Sequence, residues 1–221
     1  MSTKALIKSY QEFKSNYAKD KSDLLIDLVE NGQHPKTLFI TCSDSRVAPN
    51  FITNTEPGDL FIARNIGNFV PPFDPNTVAS ATPAAIEYAV SALNVENIIV
   101  CGHTECGACK SLHMDIPEDN VEMINVIKWL KFADTVKNKA LASVGDKNPK
   151  ALYTETEKLN IIEQIENLMT YPAIKRRVKE GNLFVQGWYY HLLNGDIEYY
   201  DHVEDKFLPI EKSLEKPETH S

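Results

Sequence analysis

Ile98-Ile-Val-Cys-Gly-His-Thr-Glu-Cys-Gly-Ala-Cys109 is the stretch of sequence that decides the fold. It begins with three β-branched apolar residues and soon reaches Gly102, a pattern that predicts a short strand buried on both faces. His103 and Cys106 follow, three positions apart. If a helical turn begins there, the two side chains share one face, and a ring nitrogen and a sulfur can bind one zinc ion. By itself, the pair is also compatible with a core histidine beside a small buried cysteine.

A second segment, Thr37-Leu-Phe-Ile-Thr-Cys-Ser-Asp-Ser-Arg46, repeats this design. It is another apolar, β-prone run, and it ends at Cys42 ahead of a polar cluster. The carboxyl edge of a parallel sheet is where open α/β folds bind their ligands. We therefore expect Cys42 to join His103 and Cys106 in a three-ligand Cys2His set. Three protein ligands are typical of a catalytic zinc ion, which keeps its fourth position free, whereas a structural zinc ion takes four.

Length, charge and cysteine content narrow the class of protein. The 221 residues suit one domain. The formal net charge of −8 argues against nucleic acid as a partner, because phosphate binding needs a basic face. No apolar run is long enough to span a membrane and the first residues lack the core of a signal peptide, so we expect a cytoplasmic protein without a membrane partner. Three of the four cysteines crowd together near residue 106, which favours metal or redox chemistry over a disulfide framework.

The order of predicted elements indicates an α/β fold with a mostly parallel central β-sheet flanked by helices. A short strand over residues 60–63 and a helix over residues 77–93 connect the two metal-bearing segments. Near the carboxyl end, Asn194-Gly195 separates two β-prone runs and predicts a hairpin, which places an antiparallel strand at the C-terminal end of the sheet. Three further helices are predicted between the metal loop and this hairpin, at residues 121–141, 159–169 and 173–179.

We expect one zinc-enzyme domain over residues 1–221, with amino-terminal helices in residues 1–32, an α/β core in residues 33–210 and a charged tail in residues 211–221. Two amphipathic helices are predicted in the first part, over residues 4–19 and Ser22–Glu30. Their apolar faces pack either on the same domain or on a partner chain.

Two of these motifs together resemble the signatures of a known family. Cys42-Ser-Asp-Ser-Arg46, followed by Gly102-His-Thr-Glu-Cys-Gly107, is similar to the two signatures of the β-class carbonic anhydrases, at the expected separation. The resemblance extends over roughly residues 30 to 200. Further segments that match the family are Gln33-His-Pro-Lys36, Glu56-Pro-Gly58, Arg64-Asn-Ile-Gly-Asn68, Val70-Pro-Pro-Phe73, Ala84-Ala-Ile-Glu-Tyr-Ala-Val90 and Gly187-Trp188.

The resemblance implies an enzyme with one Zn²⁺ per subunit, bound by Cys42, His103 and Cys106, that hydrates CO2 reversibly to bicarbonate and a proton through zinc-bound hydroxide. It also implies a homodimer or a dimer of dimers, with the amino-terminal helices reaching across to the partner. Because two thiolates cancel the charge of the ion, we expect hydration to rise from neutral to alkaline pH.

Asp44 and Arg46 are the expected catalytic pair. They lie two positions apart, so in an extended segment both can point to the side of Cys42, where the guanidinium can bind the carboxylate through two hydrogen bonds. The resemblance gives Asp44 the role of accepting a hydrogen bond from the hydroxide. Two alternatives remain: the pair only stabilises its loop, or Asp44 is the fourth zinc ligand in a closed, inactive state.

The resemblance implies a substrate-binding pocket as well. Members of the family that stay open carry a glutamine and apolar or aromatic residues at matching positions, whereas the bicarbonate-gated members have a tryptophan where this chain has Phe39. We therefore expect the open type, with Gln33 and Tyr88 supplied by the neighbouring subunit. Phe61 and Ile66 are also compatible with ordinary core positions. The expected pocket residues are Gln33, Phe61, Ile66, Tyr88 and Gly102.

A second function has to be weighed, because Cys106-Gly-Ala-Cys109 has the spacing of a redox pair. It would make the chain a zinc-stabilised redox, thiol-sensing or binding protein of the same fold without CO2 turnover. A redox pair by itself would leave Cys42, Asp44, Arg46 and His103 without a task.

Overall fold

A single sheet organises the computed structural model, which describes residues 1–76 and 80–215. Six strands are present in those residues: β1 (Thr37–Cys42), β2 (Leu60–Asn65), β3 (Asn97–His103), β4 (Phe184–Tyr190), β5 (Ile197–Asp201) and β6 (Lys206–Pro209). Their order across the sheet is β2-β1-β3-β4-β5-β6. Strands β1 to β4 are parallel, and β5 and β6 complete the sheet as antiparallel neighbours. The predicted α/β class is confirmed, with one more antiparallel strand than expected, β6.

Helices surround the sheet. The α-helices of the described residues are α1 (Thr3–Ser15), α2 (Tyr17–Asp20), α3 (Ser22–Glu30), α4 (Pro49–Thr53), α5 (Ala81–Glu87), α6 (Gly107–Ser111), α7 (Ile124–Leu130), α8 (Asp134–Val144), α9 (Pro149–Leu168) and α10 (Pro172–Lys179). Short 3₁₀ turns cover Ile66–Asn68, Lys131–Ala133 and Ile210–Glu215, and a π turn covers Tyr88–Ala92. None of the helices in the described residues is long and apolar enough to cross a membrane.

The apolar runs that predicted β1 and β3 are buried on both sheet faces. Leu38 and Val100 belong to a large cluster that also contains residues of α9 and α10, whereas Phe39, Ile99 and Cys101 form a smaller cluster on the other face. Since consecutive side chains alternate between the faces, a strand covered on both sides needs an uninterrupted apolar run. This burial fixes the register of the two strands, with Thr41 opposite Cys101.

Helix α9 lies very close to the sheet because two glycines face it. A Cβ added at Gly102 would lie 2.8 Å from Cγ1 of Ile161, and one at Gly187 would lie 2.6 Å from Cγ2 of the same side chain. Both distances are well inside van der Waals contact. The absence of side chains at these points of β3 and β4 therefore allows Ile161 to seat the helix against the strands.

Several predicted helix boundaries were wrong. The helix predicted over residues 4–19 is interrupted at Asn16, and the one over residues 121–141 is broken by the 3₁₀ turn at Lys131–Ala133. The helix predicted over residues 159–169 begins ten residues earlier, where Asn148 caps it by accepting from the Ala151 N–H and Pro149 occupies its first turn. The expected start of the helix over residues 77–93 and the last residues of the tail, 216–221, lie outside the described residues.

We expect Gly187→Ala to lower the free energy of unfolding by about 1–3 kcal/mol, because the new methyl group overpacks against Ile161. Urea unfolding measures the change. The loss should shrink in an Ile161→Ala background, where the clashing Cγ2 is absent. Gly107→Ala is the matched control, since a Cβ there meets nothing within 4 Å. An equal loss in both backgrounds would contradict this packing account.

Candidate metal centre

Three potential ligands converge at the carboxyl edge of β1 and β3. Cys42 is the last residue of β1, His103 is the last residue of β3, and Cys106 directly precedes α6. One ligand atom from each lies within 4.8 Å of the other two. All three residues are at least 95% buried. The expected Cys2His set is therefore brought together by the pairing of the two strands.

The link between His103 and Cys106 differs from the expected helical turn. His103 still belongs to the strand, and the chain then turns sharply through Glu105, whose φ of 59° lies in the left-handed region. In a helix, Cys106 would lie about one helical turn further along the axis than His103. The sharp bend at Glu105 instead brings Cys106 beside the end of β3. The two side chains converge, but for a different geometric reason from the one predicted.

The imidazole of His103 is arranged to bind a cation through Nε2. Its Nδ1 lies 2.9 Å from the carbonyl oxygen of Thr104, and because a carbonyl only accepts, Nδ1 carries the ring proton. Nε2 is buried and has no hydrogen-bond partner among the described residues. A buried nitrogen lone pair without a partner is costly, and a metal ion at this point would satisfy it.

The sulfurs of Cys42 and Cys106 also indicate a site for a cation. A hydrogen bond with the Cys106 thiol, together with burial, raises the pKa of Cys42 to about 12. The pKa of Cys106 is also raised, first by a hydrogen bond with the Cys109 thiol. Two neighbouring buried thiols resist ionisation unless a cation compensates their charge. The donor set, two soft sulfurs and one imidazole nitrogen, fits Zn²⁺.

Asp44 lies beside this cluster and is held by Arg46. Its Oδ1 accepts from Nε and the backbone N–H of Arg46, both at 2.9 Å, and its Oδ2 accepts from Nη2 at 2.7 Å. Oδ2 lies 3.9 Å from Nε2 of His103. The hydrogen bonds from Arg46 hold the pKa of the Asp44 carboxyl well below its usual range. The segment is a turn closed by the Val47 N–H on the Asp44 carbonyl, so the predicted extended conformation was wrong although the bidentate contact exists.

Known proteins are similar to this chain. A family model described as carbonic anhydrase matches residues 37–197. A carbonic anhydrase from Synechocystis sp. is 40% identical over 203 residues, which cover 92% of this chain and 73% of the relative. The chain belongs to the carbonic anhydrase family.

Solved structures place it with the β class of carbonic anhydrases. The structure of the β-carbonic anhydrase CcaA has a TM-score of 0.87 and 39% identity, covering 93% of this chain and 91% of that one. One of two tetrameric β-carbonic anhydrases from Sordaria macrospora has a TM-score of 0.75 and 32% identity, covering 88% and 94%.

The residues expected in a carbonic anhydrase pocket do not all lie at the metal ligands of their own chain. Phe61 pairs with Leu38, four positions before the end of β1, and its ring packs on Tyr88 with centroids 5.8 Å apart. Gln33 is exposed and precedes the amino-terminal end of β1. The three residues are therefore displaced along the strands, away from the carboxyl edge.

Two other expected pocket residues lie close to the ligands. Ile66, which is 44% exposed, precedes Gly67, whose N–H donates to Sγ of Cys42 at 3.4 Å. Gly102 precedes His103 and faces Ile161 of α9. The structure thus gives Gly102 a packing role, and its role in substrate binding stays a prediction.

Sequence reasoning missed three side chains that support the ligand segments directly or through one intervening group. The carboxylate of Glu157 accepts from the backbone N–H of Cys106 at 2.9 Å and from the Tyr189 hydroxyl at 2.6 Å. The indole N–H of Trp129 donates to the carbonyl of Ile66 at 2.7 Å. The start signal Asn148-Pro149 would have extended α9 over Glu157, but no local pattern reveals these tertiary hydrogen bonds.

We expect Cys42→Ser to reduce the bound zinc from one per chain to nearly none, because a serine hydroxyl near neutral pH is a far weaker ligand than a thiolate. Elemental analysis of purified protein measures the metal content. Cys101→Ser is the control, since Cys101 is buried on β3 but is not one of the three converging ligands. Retention of stoichiometric zinc by Cys42→Ser would contradict the ligand set.

Proposed function

We propose that this chain hydrates CO2 reversibly to bicarbonate, using one Zn²⁺ per subunit bound by Cys42, His103 and Cys106. The observation that carries the proposal is the unpaired, buried Nε2 of His103 facing two sulfurs, with an immobilised carboxylate 3.9 Å away. Membership of the carbonic anhydrase family gives this geometry its reaction. The four cysteines are all free, which a reducing compartment such as the cytoplasm favours, and we infer a cytoplasmic location.

When bound, zinc would supply the Lewis acidity that activates water as a nucleophile. The protein supplies the side chains that would orient the reacting oxygen. Asp44 stays ionised because Arg46 holds it, so it can only accept hydrogen bonds. Its Oδ2 lies 3.9 Å from Nε2 of His103, so it would lie beside an ion held by the three ligands, where accepting a hydrogen bond would fix the direction of a reacting oxygen. Arg46 limits the movement of Asp44 and is itself fixed by the Glu105 carbonyl, 3.1 Å from Nη2.

The direct test is stopped-flow CO2 hydration by zinc-loaded protein. We expect turnover that rises between pH 6 and 9, and we expect Asp44→Asn to retain zinc but lose about a hundredfold or more in kcat/KM. Asp119→Asn, at an exposed position, is the matched control and should keep full activity. Wild-type protein that holds zinc but shows no turnover at pH 8.5 would favour the redox or binding alternative. Full activity in Asp44→Asn would remove Asp44 from the mechanism.

We further infer that Asp44 is not a zinc ligand in the resting enzyme, as in the open type of the family. Both carboxylate oxygens are engaged by Arg46, and the residue at the gating tryptophan position is Phe39, which is fully buried and cannot donate a hydrogen bond. In a crystal structure of the zinc-loaded protein near neutral pH, we expect Asp44 to remain paired with Arg46. An Asp44 oxygen about 2.0 Å from zinc would contradict this.

A second copy of the chain is part of the proposed enzyme. Helix α1 buries no residue, and one stripe of its apolar side chains is about half exposed: Leu6, Tyr10 and Phe13. Gln33 and Tyr88 lie away from the metal ligands of their own chain, as expected if they serve a neighbour. The similar Sordaria macrospora enzymes are described as tetrameric. We infer a homodimer or a dimer of dimers in which Gln33 and Tyr88 complete the partner's pocket.

We expect the double variant Leu6→Asp/Tyr10→Asp to dissociate the dimer and to lose CO2 hydration while keeping zinc, because charges on the exposed stripe oppose its burial. Sedimentation velocity measures the mass, and elemental analysis measures the zinc. Lys8→Asp, on the opposite side of the same helix, is the control. A fully active monomer would refute a shared pocket.

A further inference from the structure

Each of the two cysteine ligands is held in part by a hydrogen bond that involves a backbone amide. Cys106 uses its own N–H, which donates to Oε1 of Glu157. Cys42 uses the N–H of Gly67, which donates to its sulfur. Each amide group is fixed by a side chain from a different helix, and neither helix contributes a metal ligand.

On the Cys106 side, the fixing group is a buried carboxylate. Glu157 is 3% exposed, and burial raises its pKa. Its second oxygen accepts from Tyr189, which is itself 1% exposed. A side chain with both oxygens occupied has one available orientation, so the position of the Cys106 amide is set by α9 and β4 together.

On the Cys42 side, the fixing group is the indole of Trp129. The Ile66 carbonyl and the Gly67 N–H belong to one planar peptide group. Trp129 donates to that carbonyl at 2.7 Å, and the N–H at the other end of the same peptide donates to the Cys42 sulfur at 3.4 Å. Hydrogen bonds at the two ends of a peptide polarise and strengthen each other. The ring of Trp129 also stacks on the buried Phe69, which holds the indole in place.

We propose that Glu157 and Trp129 are positioning residues for the zinc centre: Glu157 sets the position of Cys106, and Trp129 orients the peptide that hydrogen-bonds to the sulfur of Cys42. The inference rests on the proposed zinc function. Outer partners of metal ligands normally restrict ligand movement and tune the electron density on the donor atoms. Here, Glu157 restricts the movement of Cys106 through that residue's own amide, and Trp129 acts on the Cys42 sulfur through the Ile66–Gly67 peptide.

For Trp129, the test is Trp129→Phe, which keeps an aromatic ring but removes the N–H. Loss of one hydrogen bond should make zinc dissociate about three to ten times faster into a chromophoric chelator. In the Co²⁺-substituted protein, the sulfur-to-metal charge-transfer band should move to longer wavelength, because a thiolate with a weaker hydrogen bond holds its electrons less tightly. Trp188→Phe is the matched control, since its indole donates to the Gln186 side chain instead.

For Glu157, three variants separate hydrogen bonding from other effects. Glu157→Leu leaves the Cys106 N–H without an acceptor and should release zinc at least tenfold faster. Glu157→Gln can still accept from Cys106 and donate to the Tyr189 oxygen, so it should stay within about twofold of the wild type. Tyr189→Phe removes one of the two fixing bonds and should give an intermediate rate, which keeps the test valid if Glu157→Leu does not fold. Glu163→Gln, whose carboxylate pairs with Lys139, is the control on α9.

Zinc dissociation and Co²⁺ spectra equal to the wild type in both Trp129→Phe and Tyr189→Phe would overturn the proposal. Equal acceleration in the control variants, or a Glu157→Gln rate as high as that of Glu157→Leu, would also overturn it, because the effect would then not depend on these hydrogen bonds. Wild-type protein that binds neither zinc nor Co²⁺ would refute the zinc function itself. That outcome can be told apart from failure of the positioning proposal, because it is observed in the wild-type protein without any variant.

Discussion

Parallel pairing of β1 with β3 is the constraint on which the metal centre depends. The last ladder pair, Thr41 with Cys101, places Cys42 and His103 just beyond it at one edge of the sheet. A shift of one residue would turn every side chain of β1 to the opposite face and carry the Cys42 sulfur away from the imidazole. The apolar residues on both faces prevent such a shift, because it would disrupt two buried clusters at once. The same burial that stabilises the sheet thus positions the ligands.

Helix α9 connects the packing of the sheet with the geometry of the ligands. Ile161 occupies the space left by Gly102 and Gly187, which fixes the distance from the helix to β3 and β4. Asn160, one residue earlier, donates to the carbonyl of Gly67 at 2.9 Å, and Glu157 contacts the Cys106 amide. One face of this helix therefore combines an apolar contact that sets its depth with polar contacts to the Cys106 amide and to the Gly67 turn, whose N–H donates to the Cys42 sulfur.

The sequence allowed prediction of the parts of the site that local pattern encodes. Cys42 and His103 each follow an apolar, β-branched run, so strand ends could be inferred without coordinates. The contacts of Glu157 and Trp129 could not, since they bridge 51 and 63 residues of sequence and end on main-chain atoms that have no sequence signature. Strand β6 was missed because its four residues are too few to show alternation. The conformation between His103 and Cys106 was mispredicted because nothing in the residue type of Glu105 signals a positive φ.

The partner of the His103 ring proton is a main-chain oxygen, that of Thr104. No substitution can delete that group, and it does not change its charge with acidity as a carboxylate would. Thr104 is itself tied to the end of β4 and the loop beyond it, through its N–H on the Tyr190 carbonyl and its hydroxyl, which accepts from the Leu192 N–H. The acceptor that selects the imidazole tautomer is thereby protected against loss by side-chain mutation, and it stays in place for as long as the strand keeps its shape.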